Sequence, residues 1–528
     1  MKRFNTTAVC IPSKHYMVDL TERVAQIKEM IDDGKYFTIN RARQYGKTTT
    51  LFAIKTAIND EYTIVSLDFQ GIGTASFATE QDFVQAFCRL ILDKKKTISD
   101  LPYDIVDRLK EIEGQTEPNK KLDDLFDIIE EWCDKSDKPM VLIIDEVDSA
   151  SNNQVFLDFL AMLRNGYINR DTENISAFQS VILAGDSDIK HLRTRIRPED
   201  QHKVNSPWNI ASDFDIDMSL SEDGIRGMLD EYESDHHTGM DTSAIASMIR
   251  AYTSGYPFLV SRICQLIDEK LSRSMELSEA WTGAGIEEAV KMLLAEDNTL
   301  FQSITGKLTN YPELKASIRS ILMEGTRLTW NSQQDAIVQM QMYGLIRNDH
   351  NAVRISNRIF ETMLYNLFLS DEELKNNVFS REGDLASNQF VHDGKLDVRL
   401  ILDRFITTYT QIFGPLEDKF KEQDGRELFL LYLKPIINGT GNYYIEAQTR
   451  DQRRTDVIID YLGEQYIIEL KIWRGERYNA EGEKQISDYL DYFGLDTGYM
   501  LSFNFNKNKE TGVKQVELRG KTLYEATV

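Results

Sequence analysis

FTINRARQYGKTTTL, residues 37 to 51, decides how the first half of this chain is read. Tyr36 to Ile39 is a short apolar run that suits a strand, a polar loop follows, and Gly46-Lys47-Thr48 opens a helical pattern. Free backbone N–H groups at a helix start and in the loop before it bind phosphate oxygens. Arg43, Gln44, Tyr45, Gly46 and Thr49 belong to that loop and helix start. Lys47 supplies a point charge for the β/γ-phosphates, and the Thr48 hydroxyl a ligand for Mg²⁺. The usual phosphate-loop pattern has a glycine five residues before Gly46, where this chain has Arg41.

PMVLIIDEVDSA, residues 139 to 150, is the second informative stretch. Its unbroken apolar run suits a strand buried on both faces of a parallel sheet. Asp145 and Glu146 fall at its carboxyl end, where α/β sheets place ligands. Asp145 can hold Mg²⁺ through water, and Glu146 can orient the attacking water. The two stretches together predict an ATP site.

Length and composition set the frame. A chain of 528 residues is too long for one core, so two to four domains are expected. No apolar run approaches the length of a membrane span, and the start lacks a long apolar core, so a cytoplasmic protein without membrane contact is expected. Cys10, Cys88, Cys133 and Cys264 have no metal-ligand spacing and read as reduced thiols. The formal charge of −24 argues against a broad non-specific nucleic-acid surface but leaves room for a small basic site.

Along the chain, residues 15–35, with apolar Leu20, Val24, Ile27 and Ile31, predict a helix ending at Gly34. Helices are also predicted to about Asn59, over Glu80–Lys94, over Leu122–Cys133 and through Phe156–Leu163. A charged connection is expected between the second and third of these. Strands are predicted at Tyr62–Phe69 and Phe178–Ala184. Alternating strands and helices make a parallel sheet covered on both faces. Asp186 and Asp188, past the last strand, suit either a γ-phosphate sensor or an ordinary turn. Arg193, Arg195 and Arg197 suit either an arginine finger for another subunit or a solvated surface run. Helices fill 221–295, with Pro257 at a first turn after Gly255-Tyr256. Short helices and a strand pair around Ile346 and Ala352–Ile355 then suggest a small winged helix.

Residues from about 15 to 370 resemble the bacterial AAA-ATPase-like proteins, relatives of the signalling (STAND) and origin-recognition ATPases. KYFTINRARQYGKTTTL, VLIIDEVDSA, VILAGDSDIK, SPWNIASDF and SGYPFLVSRIC carry the resemblance. It implies a P-loop core over 1–220, a helical lid over 221–295 and a winged helix over 296–370. An arginine-containing segment before Gly-Lys-Ser/Thr is a familiar variant there. Lys47 and Thr48 would then hold phosphate and Mg²⁺, and Asp145 and Glu146 the metal and water.

Residues 371–395 are polar and weakly patterned and read as a linker. Beyond it, helices are predicted over Val398–Phe413 and Gly425–Ile437, followed by a hairpin, TRDQRRTDVIIDY and EQYIIELKIW. Glu469 and Lys471 are two apart on its second strand and share a face. Asp456, at the start of the first, can lie beside them. Two carboxylates and an ammonium suit Mg²⁺ or Mn²⁺ and phosphodiester chemistry. A surface acid–lysine pair is the plainer alternative.

Residues 396–528 are similar to the PD-(D/E)XK nuclease superfamily, whose fold is restriction-endonuclease-like α/β. Asp456 matches its acid, and Glu469-Leu470-Lys471 its (D/E)-x-K. Glu427 matches the acid on the preceding helix. Gln485 and Tyr489 match a Gln-x-x-x-Tyr helix of some branches. Thr455 stands where the superfamily has Pro. This third holds 18 basic against 22 acidic residues, so most of the negative charge lies elsewhere. The resemblance implies a DNA endonuclease gated by an ATPase in the same chain, with a homo-oligomer as one possible assembly. The alternative is an ATPase switch whose last domain only binds nucleic acid or a partner.

Overall fold

The computed structural model describes the chain except residues 1, 115–120, 151–152, 187–207, 324–325, 374–377, 387–388, 393–394, 414–421, 438–440, 445–456, 462–463, 474–482, 484–485, 488–489, 492–493, 505 and 507–508. It forms two compact units. One comprises Met1–His237, Gly255–Arg262 and Val338–Leu345; the other comprises Thr238–Ser254, Ile263–Ile337 and Ile346–Val528.

In the first unit, β1 (Arg3–Phe4) pairs in parallel with β2 (His15–Tyr16). Its main sheet holds β3 (Tyr36–Asn40), β4 (Thr63–Asp68), β5 (Met140–Asp145) and β6 (Ser180–Gly185), all parallel. The spatial order is β3-β6-β5-β4, so β6 separates the loop-bearing strand from the acid-bearing one. Ser212 bridges to Phe37 on the outer side of β3. Alternate residues of each strand feed two separate cores. Leu142, Ile144, Val181 and Leu183 pack on one face with Phe156 and Phe159. Val141, Ile143, Ile182 and Ala184 pack on the other with Ile27, Ile31 and Ile54. This is an α/β arrangement, an all-parallel sheet with apolar cores on both faces.

Two local expectations need correction. The first helix spans Thr21–Asp32, because His15–Tyr16 is held in β2. The charged connection after residue 94 contains a helix, Tyr103–Glu113, with Ile105, Leu109 and Ile112 buried. Those three recur at helical spacing, but the charges between them hid the stripe.

The second unit opens with helices and a hairpin, β7 (Ile346–Asp349) with β8 (Ala352–Ile355). His350 and Asn351 take positive φ at its tip, as a tight hairpin turn demands. The stretch expected as a linker, 371–395, is structured where described. It carries helix Val378–Ala386 and the short pair β9 (Val391–His392) and β10 (Lys395–Leu396). Phe379 and Phe390 are fully buried there, two aromatic anchors outweighing a polar composition.

A six-stranded mixed sheet follows: β11 (Gly441–Tyr444), β12 (Val457–Tyr461), β13 (Glu464–Ile472), β14 (Thr497–Phe503), β15 (Gly512–Leu518) and β16 (Lys521–Thr527). Its order is β11-β12-β13-β14-β16-β15. β11, β12 and β13 are antiparallel neighbours, while β13–β14 and β14–β16 are parallel. One face packs Ile458, Ile467, Met500 and Leu523 against Ile486 and Leu490. On the other, Phe503 meets the rings of Phe405 and Tyr409 from helix Val398–Phe413. No helix among the described residues is long and apolar enough to cross a membrane.

Candidate functional site

Gly46 sits at the N-cap of helix Lys47–Ile58 with φ 83°, a left-handed conformation that glycine adopts without strain. Gln44 is also left-handed, at φ 58°. Lys47 is buried, and its Nζ donates to the carbonyls of Arg41 (2.8 Å) and Ala42 (3.2 Å) and pairs with the Asp186 carboxylate. Thr48 Oγ1 donates to Asp145 Oδ2 at 2.9 Å, joining the helix start to the end of β5. Glu146 follows in a left-handed conformation (φ 55°), and its N–H donates to Asp145 Oδ1 at 3.0 Å. Burial raises the carboxyl pKa values of both Asp145 and Glu146; the Thr48 hydrogen bond offsets part of that at Asp145, and Lys47 part of it at Glu146. Phosphate-loop lysine, hydroxyl and paired acids therefore converge at the carboxyl ends of β3, β5 and β6.

Arg41, the departure from the glycine pattern, has a structural task. Its guanidinium donates to Ile216 O at 2.8 Å and lies over the Phe214 ring at 5.2 Å. It ties the loop's start to the segment flanking β3, where a glycine could not. The loop's far side is held by the Gly255-Tyr256-Pro257 turn. Tyr256 Oη donates to Arg43 O, and its ring stands edge-on to Tyr45 at 4.7 Å. Thr49 Oγ1 accepts from the N–H of Cys10 at 3.1 Å.

Beside Gln44, Gly46 and Thr49 lies a cavity of about 310 Å³. Val18, Leu220, Met228 and Phe258 give it apolar walls, and the Asn5–Ala8 segment borders it. Sequence reading did not anticipate these lining residues. They come from four distant stretches without a shared motif, and only the apolar run FLVSRIC hinted at one of them.

In the second unit, Glu469 is fully buried on β13, and Lys471 Nζ pairs with its Oε1 at 2.8 Å. Those two predicted residues are thus together. Glu427 is on helix Glu422–Ile437, where its Oε1 accepts from Arg319 at 3.0 Å. Asp456, Gln485 and Tyr489 lie outside the described residues, as do Asp188, Arg193, Arg195 and Arg197. Among the described residues no group of three or more His, Cys, Asp or Glu side chains is placed to share a metal ion.

The family model for the AAA-like domain matches residues 4–368, well over half of the chain. The chain belongs to the AAA-like domain family. Its matched AAA-like domain is an ATP-binding, AAA-type P-loop module. Solved structures similar to the chain include a Walker-type ATPase of Pyrococcus abyssi, 12% identical, with 68% of this chain and 99% of that one covered at a TM-score of 0.46. Cdc6p from Pyrobaculum aerophilum is 14% identical over 70% and 97% of the two chains (TM-score 0.34). The RuvB Holliday junction branch migration motor of Thermotoga maritima is 11% identical over 64% and 92% (TM-score 0.32). No curated protein matches. The AAA-like domain match ends before the six-stranded sheet begins.

Proposed function

We propose that this protein is an ATP-driven switch that gates a metal-dependent DNA endonuclease carried on the same chain. In this reading residues 1–220 are the ATPase core, 221–295 a lid, 296–370 a winged helix and 396–528 the nuclease. Lys47 and the loop Arg43–Thr49 grip the triphosphate, and the apolar cavity beside Gly46 takes the base. Thr48 and Asp145, already bonded to each other, are oxygen donors of the kind Mg²⁺ prefers. Glu146 orients the attacking water. Bound Mg²⁺ would neutralise charge on the β/γ-phosphates.

The observation that carries the nuclease half is the buried Glu469–Lys471 pair. A carboxylate taken wholly out of water is costly, and one held beside a lysine on a sheet face suits a charged site. The strand order around it, an antiparallel β11-β12-β13 run followed by a parallel β14, supports the same reading. Glu469 and Asp456 are the oxygen donors for Mg²⁺ or Mn²⁺, and the ion would acidify a bound water. Lys471 stabilises the charge that develops on the phosphate. Glu427 and Gln485 complete the set.

Incubating the full chain with DNA and Mg²⁺ or Mn²⁺, with and without ATP, tests this directly. Cleavage that Glu469→Ala abolishes is expected. Correctly folded protein that cuts under no condition rejects it. One observation favours a second reading, in which the last domain only binds nucleic acid or a partner: Arg319 already occupies the Glu427 carboxylate. Under that reading Lys47→Ala destroys function and Glu469→Ala does not.

A further inference from the structure

The sheet carrying Glu469 has a second polar feature on the same face. Pairing places Glu469 opposite Met500 on β14, and Met500 opposite Glu525 on β16. One step along, Lys471 is opposite Ser502, and Ser502 opposite Thr527. Register partners point the same way, so these residues form two adjoining rows across three strands. Lys514 of β15 extends the first row and pairs with Glu525 at 2.7 Å. Next to these rows opens a cavity of about 840 Å³, lined by Trp473, Ser502, Asn504, Lys509, Lys514 and Thr527 among others.

Ser502 is the telling residue. It is 3% exposed, and its Oγ has no hydrogen-bond partner among the described residues. A buried hydroxyl left unsatisfied in this way is expensive, and it lines a cavity wide enough to admit a ligand group. The lining also shows which ligand. Lys514 is paired with Glu525, Lys509 donates to the Asn504 carbonyl at 2.6 Å, and Glu510 adds a further negative charge to the lining, so the cavity is a poor host for an isolated anion. The half-buried Trp473 indole offers a flat apolar face, and Ser502, Asn504 and Thr527 offer hydrogen-bond groups around it. An aromatic face ringed by neutral polar groups suits a nucleobase.

We propose that this cavity is a subsite for one unpaired nucleotide of a nucleic-acid strand, stacked on Trp473 and hydrogen-bonded by Ser502, next to the Glu469–Lys471 pair. This rests on the nuclease reading for the partner's identity but not for the pocket itself. The duplex would then be opened locally at the site, and single-stranded or frayed DNA would bind better than closed duplex.

The test is fluorescence anisotropy of the full chain with a labelled single-stranded deoxyoligonucleotide, in EDTA so that no cleavage occurs. Trp473→Ala should weaken binding about tenfold, Trp473→Phe much less, and Ser502→Ala several-fold. The oligonucleotide should also quench the fluorescence of the wild-type protein more than that of Trp473→Phe. A free deoxynucleoside monophosphate should compete only weakly if the site takes a strand. Wild-type affinity in both Trp473→Ala and Ser502→Ala, or no binding of the oligonucleotide at all, overturns the proposal. If Trp473→Ala fails to fold, Ser502→Ala and the quenching difference decide. Cleavage is scored separately with Mn²⁺. Binding that depends on Trp473 without any cleavage rejects the nuclease and keeps the subsite. Cleavage with binding indifferent to Trp473 and Ser502 does the reverse.

Discussion

The Lys47 ammonium is paired with the Asp186 carboxylate at the carboxyl ends of the neighbouring strands β3 and β6. The charge that the proposed triphosphate site relies on is therefore partnered by an internal anion. Incoming phosphates must take Lys47 away from Asp186 and then sit close to that carboxylate. Asp186→Ala removes both costs, so tighter ATP binding is expected, on the order of three- to tenfold in Kd by calorimetry. Weaker binding would show instead that Asp186 helps to hold nucleotide. Lys47→Ala should lose nucleotide binding in the same assay.

Glu146 gives a kinetic and a pH prediction. Glu146→Gln should lower ATP turnover by about 10²–10⁴-fold while leaving ATP binding nearly intact. Burial raises the pKa values of Asp145 and Glu146. In the proposed role of orienting water Glu146 works ionised, so kcat should fall on acidification at a higher pH than an ordinary carboxylate would dictate. A pH profile flat down to the normal carboxylate range would contradict this assignment.

Gly255 is the tightest point of the turn behind the phosphate loop. It has φ +73°, and a Cβ there would lie 2.2 Å from Leu220 O, while Leu220 N–H donates to Gly255 O at 2.8 Å. Backbone sits on both sides of the contact, so nothing can move aside cheaply. Gly255→Ala should cost about 1–3 kcal/mol or more. It should also shift Tyr256 from Arg43 and weaken nucleotide binding. Thermal melting with and without ATP checks both.

Asp460 makes stability fall with rising pH. Burial raises its carboxyl from 3.8 to about 6, with Glu287 adding to the shift and Gln465 and Arg358 opposing it. The folded form holds the proton between those values, where the unfolded form has released it. Its contribution is thus complete below about pH 4 and is lost as pH rises through about 6. Asp460→Asn should then be more stable than wild type at pH 8, by roughly 2–3 kcal/mol, and nearly equal at pH 4. Urea unfolding at the two pH values measures it. No pH-dependent difference would mean that water reaches the group.

Much of the ATPase module was legible in the sequence because its strands are buried on both faces. MVLIID and SVILAG have nowhere to be but the middle of a parallel sheet, and the charged residues after them fall at the strand ends. Arg41 was visible as a departure, but its purpose was not, since Phe214 and Ile216 lie far along the chain. In the sequence Asp186 suits a sensor or an ordinary turn equally, and its pairing with Lys47 depends on β6 lying next to β3. Strand order is a tertiary fact that no local pattern encodes. Near the C-terminus the hairpin was foreseeable from alternation, but β11 and β14–β16 were not picked out. The row from Glu469 to Glu525 follows from their register.

The residues around the phosphate loop come from three separate lengths of chain, since Tyr256 caps Arg43 and a Cβ on Gly344 would lie 2.8 Å from Ala42. Shortening the polypeptide after His237 would retain every residue proposed to grip phosphate yet discard both buttresses. A fragment chosen by motif alone should therefore bind nucleotide poorly, and a protease nick between residues 237 and 345 should silence ATP turnover without touching Lys47 or Glu146.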